Sequence, residues 1–262
     1  MSKPVIEFKD IHKLFGGVHA LEGVSMDLYA GEVVSVIGHN GAGKSTLMKV
    51  VSGAMQADGG EIFMNGIPVT VDSPITAHHL GIEMVFQDLA LLDNLNSIDN
   101  FFLGREITRK WFGLQVSDTL TMHERATKSI AEINPHFNNV DIEVGLLSGG
   151  QRQTISIART VHRDTKVLIL DEPTAALGPA ETEMVRQLVR RLKAKGLGIF
   201  MIGHDLQDVI NMSDRIVAMR GGQVVGEVAS IDVSEDDLLG MIISGKCPEN
   251  AKVGPGARGQ IL

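Results

Sequence analysis

Apolar and polar positions change rhythm three times along this chain. Up to residue 37 the pattern is that of strands. Val24-Ser25-Met26-Asp27-Leu28 alternates at period two, Ala30-Gly31-Glu32 marks a turn, and Val33-Val34-Ser35-Val36-Ile37 is the continuous apolar run of a buried strand. Residues 46–51 then read as a helix closed by Gly53. Residues 61–64 and 69–71 flank Asn65-Gly66 and predict a hairpin, because both turn residues tolerate positive φ. Ser73-Pro74 opens a short helix as N-cap and first-turn proline, and Gly81 ends it.

From about 88 to 165 the strand signal fades. Segments such as 122–133 carry helical spacing, which predicts a helical insert between two parts of an α/β core. The core resumes with Val167-Leu168-Ile169-Leu170. Residues 179–196 read as an amphipathic helix, with Met184, Leu188 and Leu192 four apart and Gly196 as its stop. Residues 198–203 form a second buried strand, and 215–219 with 223–225 a hairpin around Gly221-Gly222. The last stretch is rich in Gly, Pro and polar residues. The expected organisation is one domain over 1–244, with a helical subdomain at about 88–165, and a flexible C-terminal tail over 245–262. No internal repeat is visible.

Composition narrows the class without naming it. The 262 residues are 44% hydrophobic and 21% charged, ordinary for a globular chain. The formal net charge of −8 argues against a nucleic-acid surface, which needs clustered positive charge. No apolar run approaches the roughly 18 residues that span a bilayer. The stretch from Met1 to Glu7 has no apolar core, so no signal peptide is expected. Cys247 is the sole cysteine and cannot form an internal disulfide, which fits a reducing, cytoplasmic compartment.

The chemistry begins at Gly38-His39-Asn40-Gly41-Ala42-Gly43-Lys44-Ser45, which fits G-x-x-x-x-G-K-[ST] between a predicted strand and a predicted helix. The glycines let backbone N–H groups converge on phosphate oxygens, and the helix N-terminus adds partial positive charge there. The loop, with Thr46 beyond it, is thus expected to bind nucleotide: Lys44 reaches the β- and γ-phosphates, and the Ser45 hydroxyl holds Mg²⁺. Leu168-Ile169-Leu170-Asp171-Glu172 is an apolar strand ending in two acids. Asp171 suits the Mg²⁺ carboxylate, and Glu172 the base that orients or deprotonates an attacking water. Leu147-Ser148-Gly149-Gly150-Gln151 precedes a helix. Ser148 is a natural N-cap and the paired glycines bare the backbone N–H groups, so an anion site is expected there.

In this order the loop at 38–45, the 147–151 pentapeptide and Asp171-Glu172-Pro173-Thr174 resemble an ATP-binding cassette ATPase, the motor subunit of membrane transporters. The resemblance covers about residues 5–240. It implies an α/β fold: a P-loop NTPase core with an N-terminal antiparallel β subdomain and an inserted α-helical subdomain. It also implies ATP and Mg²⁺ as cofactors. By the same resemblance Phe15 stacks on adenine, Gln87 touches Mg²⁺ and the attacking water, and His204 contacts the γ-phosphate. Ser148, Gly149, Gly150 and Gln151 then meet ATP held by another cassette. One position departs from the family pattern: Gly178 stands where most members carry an aspartate.

A chain with one phosphate loop and one signature needs a second cassette, most simply its own twin in an ATP-dependent homodimer. The resemblance further implies transmembrane permease subunits, indirectly a periplasmic solute-binding protein, and a place on the cytoplasmic face of the inner membrane. Residues 13–21, 41–49, Phe102-Leu103-Gly104-Arg105-Glu106 and Ala175-Ala176-Leu177 followed by Glu181-Thr182 look most like cassettes of bacterial monosaccharide importers, the ribose, xylose and fructose group. A cassette for another solute and a non-transport ATP-gated clamp stay open beside that reading. Leu89-Ala90-Leu91-Leu92 with Ile98, Phe101 and Phe102 supply either a permease-docking patch rimmed by Asp93 and Asp99 or the core of the insert.

Overall fold

The alternating N-terminal segment pairs as its period requires. In the computed structural model, which describes residues 3–112, 114–161 and 164–257, strands β1 (Ile6–Phe15) and β2 (Val18–Leu28) run antiparallel, with Phe15 opposite Val18. All five residues of β3 (Val33–Ile37) are buried. Helix α1 (Lys44–Val51) starts two residues before the apolar period predicts, because its first turn is polar. Strands β4 (Gly59–Met64) and β5 (Ile67–Val69) meet at Asn65-Gly66, whose φ values of 52° and 80° suit a tight hairpin turn. That hairpin ends at Val69 rather than at residue 71. Helix α2 (Pro74–Leu80) is capped by Ser73, whose side chain accepts the Thr76 N–H, and β6 (Ile82–Val85) follows.

The middle of the chain holds α3 (Ser97–Phe102), the short hairpin β7 (Thr108–Trp111) and β8 (Leu114–Ser117), α4 (Thr119–Ile133) and α5 (Gly149–Thr160). The hairpin departs from the expected all-helical insert: four residues per strand are too few to show a period. Then come β9 (Val167–Asp171), α6 (Pro179–Ala194), β10 (Gly198–Ile202), α7 (Leu206–Met212), β11 (Arg215–Arg220), β12 (Gln223–Ala229), α8 (Glu235–Ser244) and β13 (Lys252–Val253).

Two sheets carry the larger of two compact units, the described residues of Met1–Met84, Asp164–Pro173 and Leu192–Leu262. One is antiparallel, in the order β2-β1-β4-β5. The other has seven strands in the order β13-β12-β11-β3-β10-β9-β6. Its centre is parallel: β3 pairs with β11 and β10, and β10 with β9. Buried residues of both sheets and α1 share one core, where the Phe8 and Phe200 rings lie 5.6 Å apart. The stretch after Gly245, read from its composition as mobile or loosely docked, packs on this unit. Cys247 is buried in the cluster with Val225 and Met241, and β13 adds to the open edge of β12. An apolar anchor and a sheet edge outweigh the loop-like composition. Residues 258–262 lie outside the described residues.

The second unit comprises the described residues of Val85–Arg163 and Thr174–Arg191. It is wider than the predicted insert, because most of α6 belongs to it. Ile98, Phe102, Met122, Ala126, Ile130, Ile133, Ile155 and Ala158 are among its buried apolar residues. Ile98 and Phe102 are therefore core, and Phe86, Leu92 and Leu103 are among the large apolar side chains this unit exposes. Asn100 is fully buried: it accepts the Leu92 N–H and donates to the carbonyls of Leu92, Leu95 and Asn96, holding the 92–96 loop. Sequence reasoning missed it, since a lone Asn gives no periodic signal. Among the described residues, no helix is long and apolar enough to cross a membrane.

Candidate functional site: a nucleotide cradle at the ends of parallel strands

Register assembles the first half of the site. Ile202 of β10 pairs with Val36 of β3 on one side and with Asp171 of β9 on the other. The three parallel strands therefore end in one row. Gly38 lies two residues past that row, Glu172 one and His204 two. Loops beyond the carboxyl ends of parallel strands are where α/β sheets hold ligands.

The loop after β3 closes tightly on itself. Gly38 (φ 152°) and Gly43 (φ 103°) sit where side chains do not fit: a Cβ would fall 2.3 Å from the Met219 carbonyl oxygen and 2.6 Å from that of Ala20. The Ala42 N–H donates to the His39 carbonyl at 3.1 Å, and the Gly222 N–H to the Ala42 carbonyl at 3.1 Å. His39 and Asn40 are exposed at the tip, with His39 Nδ1 2.6 Å from the Asn40 carbonyl oxygen. No side chain caps α1, whose N-cap is Gly43, so its first-turn N–H groups face out with the positive end of the helix dipole. Ser45 in that turn is exposed and Thr46 half-buried.

Lys44 curls over the loop and donates to the carbonyls of Gly38 at 2.7 Å and His39 at 3.2 Å. An ammonium has three donors, so these leave one more. Burial pushes its pKa down, while the charges of Glu172 and Asp171 pull the other way. Burial and the Glu172 charge push the Asp171 carboxyl above the usual range, partly offset by Lys49 and Lys44. Two carboxylates and an ammonium thus share a half-buried space.

Glu172 is held in the left-handed region at φ 51°, and its N–H donates to the Ile202 carbonyl at 3.0 Å. Such a backbone costs a residue with a Cβ about 1–2 kcal/mol, strain typical of functional sites. Its Oε2 lies 3.4 Å from His204 Nδ1. Phe15, at the end of β1, is 49% exposed, with the Lys13 ammonium 5.8 Å from its ring centroid.

The other expected residues belong to the helical unit. Ser148 and Gln151 form a capping box at the head of α5: the Gln151 N–H donates to Ser148 Oγ, and the Ser148 N–H to Gln151 Oε1 at 3.1 Å. Gly149 and Gly150 are its first two residues. Gln87 is exposed just past β6. Gly178 precedes α6 and donates its N–H to Glu181 at 3.1 Å. In the sequence Glu181 counts only toward the family resemblance and has no site role, although Gly-Pro-x-Glu places a carboxylate at the third position of a proline-started helix.

Fold and motifs together define a nucleotide-binding cassette, and comparison with known proteins agrees. A family model described as ABC transporter matches residues 21–175. The xylose/arabinose import ATP-binding protein XylG of Sulfolobus acidocaldarius is 42% identical over 240 residues, covering 92% of this chain and 94% of that protein. The ribose import ATP-binding protein RbsA 2 of Burkholderia pseudomallei is 38% identical over 242 residues, but the chain spans 47% of its length. Among solved structures, the ADP conformation of MJ1267, an ATP-binding cassette of an ABC transporter, superposes with a TM-score of 0.75. It is 29% identical, with 91% of this chain and 94% of that one covered. A dimeric post-hydrolysis state of the cassette MJ0796 bound to ADP and Pi gives a TM-score of 0.69 at 25% identity, covering 86% and 98%.

The chain belongs to the ABC transporter family, as an ATP-binding cassette.

Proposed function

We propose that this cassette is the ATP-hydrolysing motor subunit of a monosaccharide importer. It would work as a head-to-tail pair with a second cassette, most simply a second copy, beneath transmembrane permease subunits on the cytoplasmic face of the membrane. The observation that carries the motor reading is the row Val36, Ile202, Asp171, which brings the loop, both acids and His204 to the carboxyl ends of three adjacent parallel strands. The sugar reading rests on the xylose/arabinose and ribose import relatives. A solute-binding protein outside the membrane completes the proposal. No basic patch is invoked, and nucleic acid has no part in it.

Residues 38–46 hold the ATP phosphates through backbone N–H groups, the α1 N-terminus and Lys44. Phe15 offers its exposed ring to adenine. Mg²⁺ fits the donors present: the Ser45 hydroxyl and the Asp171 carboxylate are hard oxygens, and Mg²⁺ completes its shell with water. When bound it would neutralise charge on the β- and γ-phosphate oxygens. Gln87 is proposed to face the metal and the attacking water. Glu172 takes the proton of that water, and its left-handed backbone and Ile202 bond keep the carboxylate in place. His204 lies beside Glu172 and would donate to the γ-phosphate. Ser148, Gly149, Gly150 and Gln151 would close on ATP held by the second cassette. ATP then joins the pair, and hydrolysis reopens it.

A mixing experiment tests the pairing. A Lys44→Ala chain and a Ser148→Arg chain are each expected to lack hydrolysis. Their two defects can fall on one composite site, so mixing should restore activity at the other. No recovery at any ratio means that each chain works alone. Uptake of labelled pentoses and hexoses with the cognate permease identifies the solute; uptake of none of them removes the sugar assignment.

A further inference from the structure

The head of α5 already carries a carboxylate from its own chain. An ideal Cβ on Gly149 would lie 3.5 and 3.6 Å from the two Glu181 carboxylate oxygens, and one on Gly150 would meet the Glu181 Cβ at 3.3 Å. Glu181 Oε2 accepts the Gly178 N–H at 3.1 Å. That N–H holds the carboxyl below its usual range; burial opposes it, and the Ser148 hydroxyl and the N–H groups of Gly150 and Gly149 each add a smaller lowering. Glu181 thus stands between two helix starts: α6, where it is the third residue and accepts the Gly178 N–H, and α5, whose Gly149 and Gly150 it approaches. Gly178 brings no side chain to cap α6, so Glu181 reaches back to do it.

We propose that Glu181 is a built-in competitor for the anion site at the head of α5, occupying in cis the donors that would receive a phosphate of ATP held by the second cassette. This inference rests on the reading of Ser148–Gln151 as the ATP-facing segment. A carboxylate and a phosphate oxygen cannot share the same N–H groups, and their like charges repel. The side chain is partly exposed and reorients quickly, so it competes without blocking. It raises the ATP concentration at which the pair closes. The departure at Gly178 thereby gains a consequence: the acid that a family aspartate would place before α6 comes from one turn later and points at the chain's own signature.

The test uses chains carrying Glu172→Gln, which are expected to hold ATP without turnover. Dimer formation is followed by light scattering across an ATP titration, with and without Glu181→Gln. Glutamine keeps the length and can still accept the Gly178 N–H, so α6 stays capped. An anion at a helix N-terminus is favoured by roughly three-fold. Two sites close together, so the closing equilibrium is expected to gain about ten-fold, and the half-maximal ATP concentration, which enters it squared, to fall about three-fold. Glu181→Asp keeps a charge in the first turn of α6 but draws it back from Gly149, and should shift the midpoint the same way by less. A midpoint unchanged or raised in both variants overturns the competitor role. Absence of any ATP-dependent dimer with Glu181 intact and with Glu181→Gln overturns it too, and removes the ATP-facing reading of α5 with it.

Discussion

Replacing Glu172 by glutamine separates binding from chemistry. The amide keeps the side chain's shape, and the φ of 51° and the Glu172 N–H bond to Ile202 do not involve the carboxylate. The fold should therefore persist. What goes is the base, and positioned general bases contribute about 10²–10⁴-fold, or roughly 3–5 kcal/mol of barrier. The charge also goes. Glu172 sits close enough to Lys44 and Asp171 for each to feel it. A carboxylate about 6 Å from a phosphate, in a half-buried site with an effective dielectric of about 40, opposes it by about 1.4 kcal/mol. ATP should thus bind about ten-fold tighter while phosphate release slows at least about a hundred-fold. Equilibrium titration with a fluorescent ATP analogue reads the first, and a phosphate-release assay the second. Turnover within about three-fold of the parent would refute the role of Glu172 as base. Weaker ATP binding would refute the electrostatic argument.

Asp171 should show its raised pKa in the stability of the metal-free chain. Its proton is held more tightly in the folded chain than in the unfolded one, so ionisation opposes folding above the folded pKa, and Asp171→Asn should raise the melting temperature at neutral pH without Mg²⁺; a melting temperature that drops in the variant contradicts this. In the helical unit, Leu92→Glu should leave thermal stability and basal hydrolysis nearly unchanged but uncouple transport, because Leu92 is 45% exposed. Ile98→Glu buries a charge at a 7% exposed position and should lower the melting temperature steeply; equal destabilisation by both would remove Leu92 from the docking patch.

Local rules made much of this protein readable from its residues. The phosphate loop is legible because glycine spacing, an apolar run before it and a helix after it are all short-range demands. The same holds for the Asn65-Gly66 hairpin, the Ser73-Pro74 helix start and the capping box at Ser148. Asp171 and Glu172 are legible because an apolar run ending in acids is the end of a buried strand. What no local pattern contains is adjacency. That β10 lies between β3 and β9, with Ile202 in register with both Val36 and Asp171, comes from backbone pairing between residues far apart in the chain, β3 and β10 across more than 150 positions. Packing decided what composition left open or missed: Cys247 and β13 tie down a stretch that looks like loop, and of the two readings of Ile98 and Phe102 the core of the helical unit holds. Glu181 is the sharpest case. Along the chain it is one more acid on an amphipathic helix, and only the approach of α6 to the head of α5 makes it a neighbour of Gly149. Burial, and the choice of partner for a charged group, are settled by residues distant in sequence, because tertiary contacts decide which polar groups meet water and which meet each other.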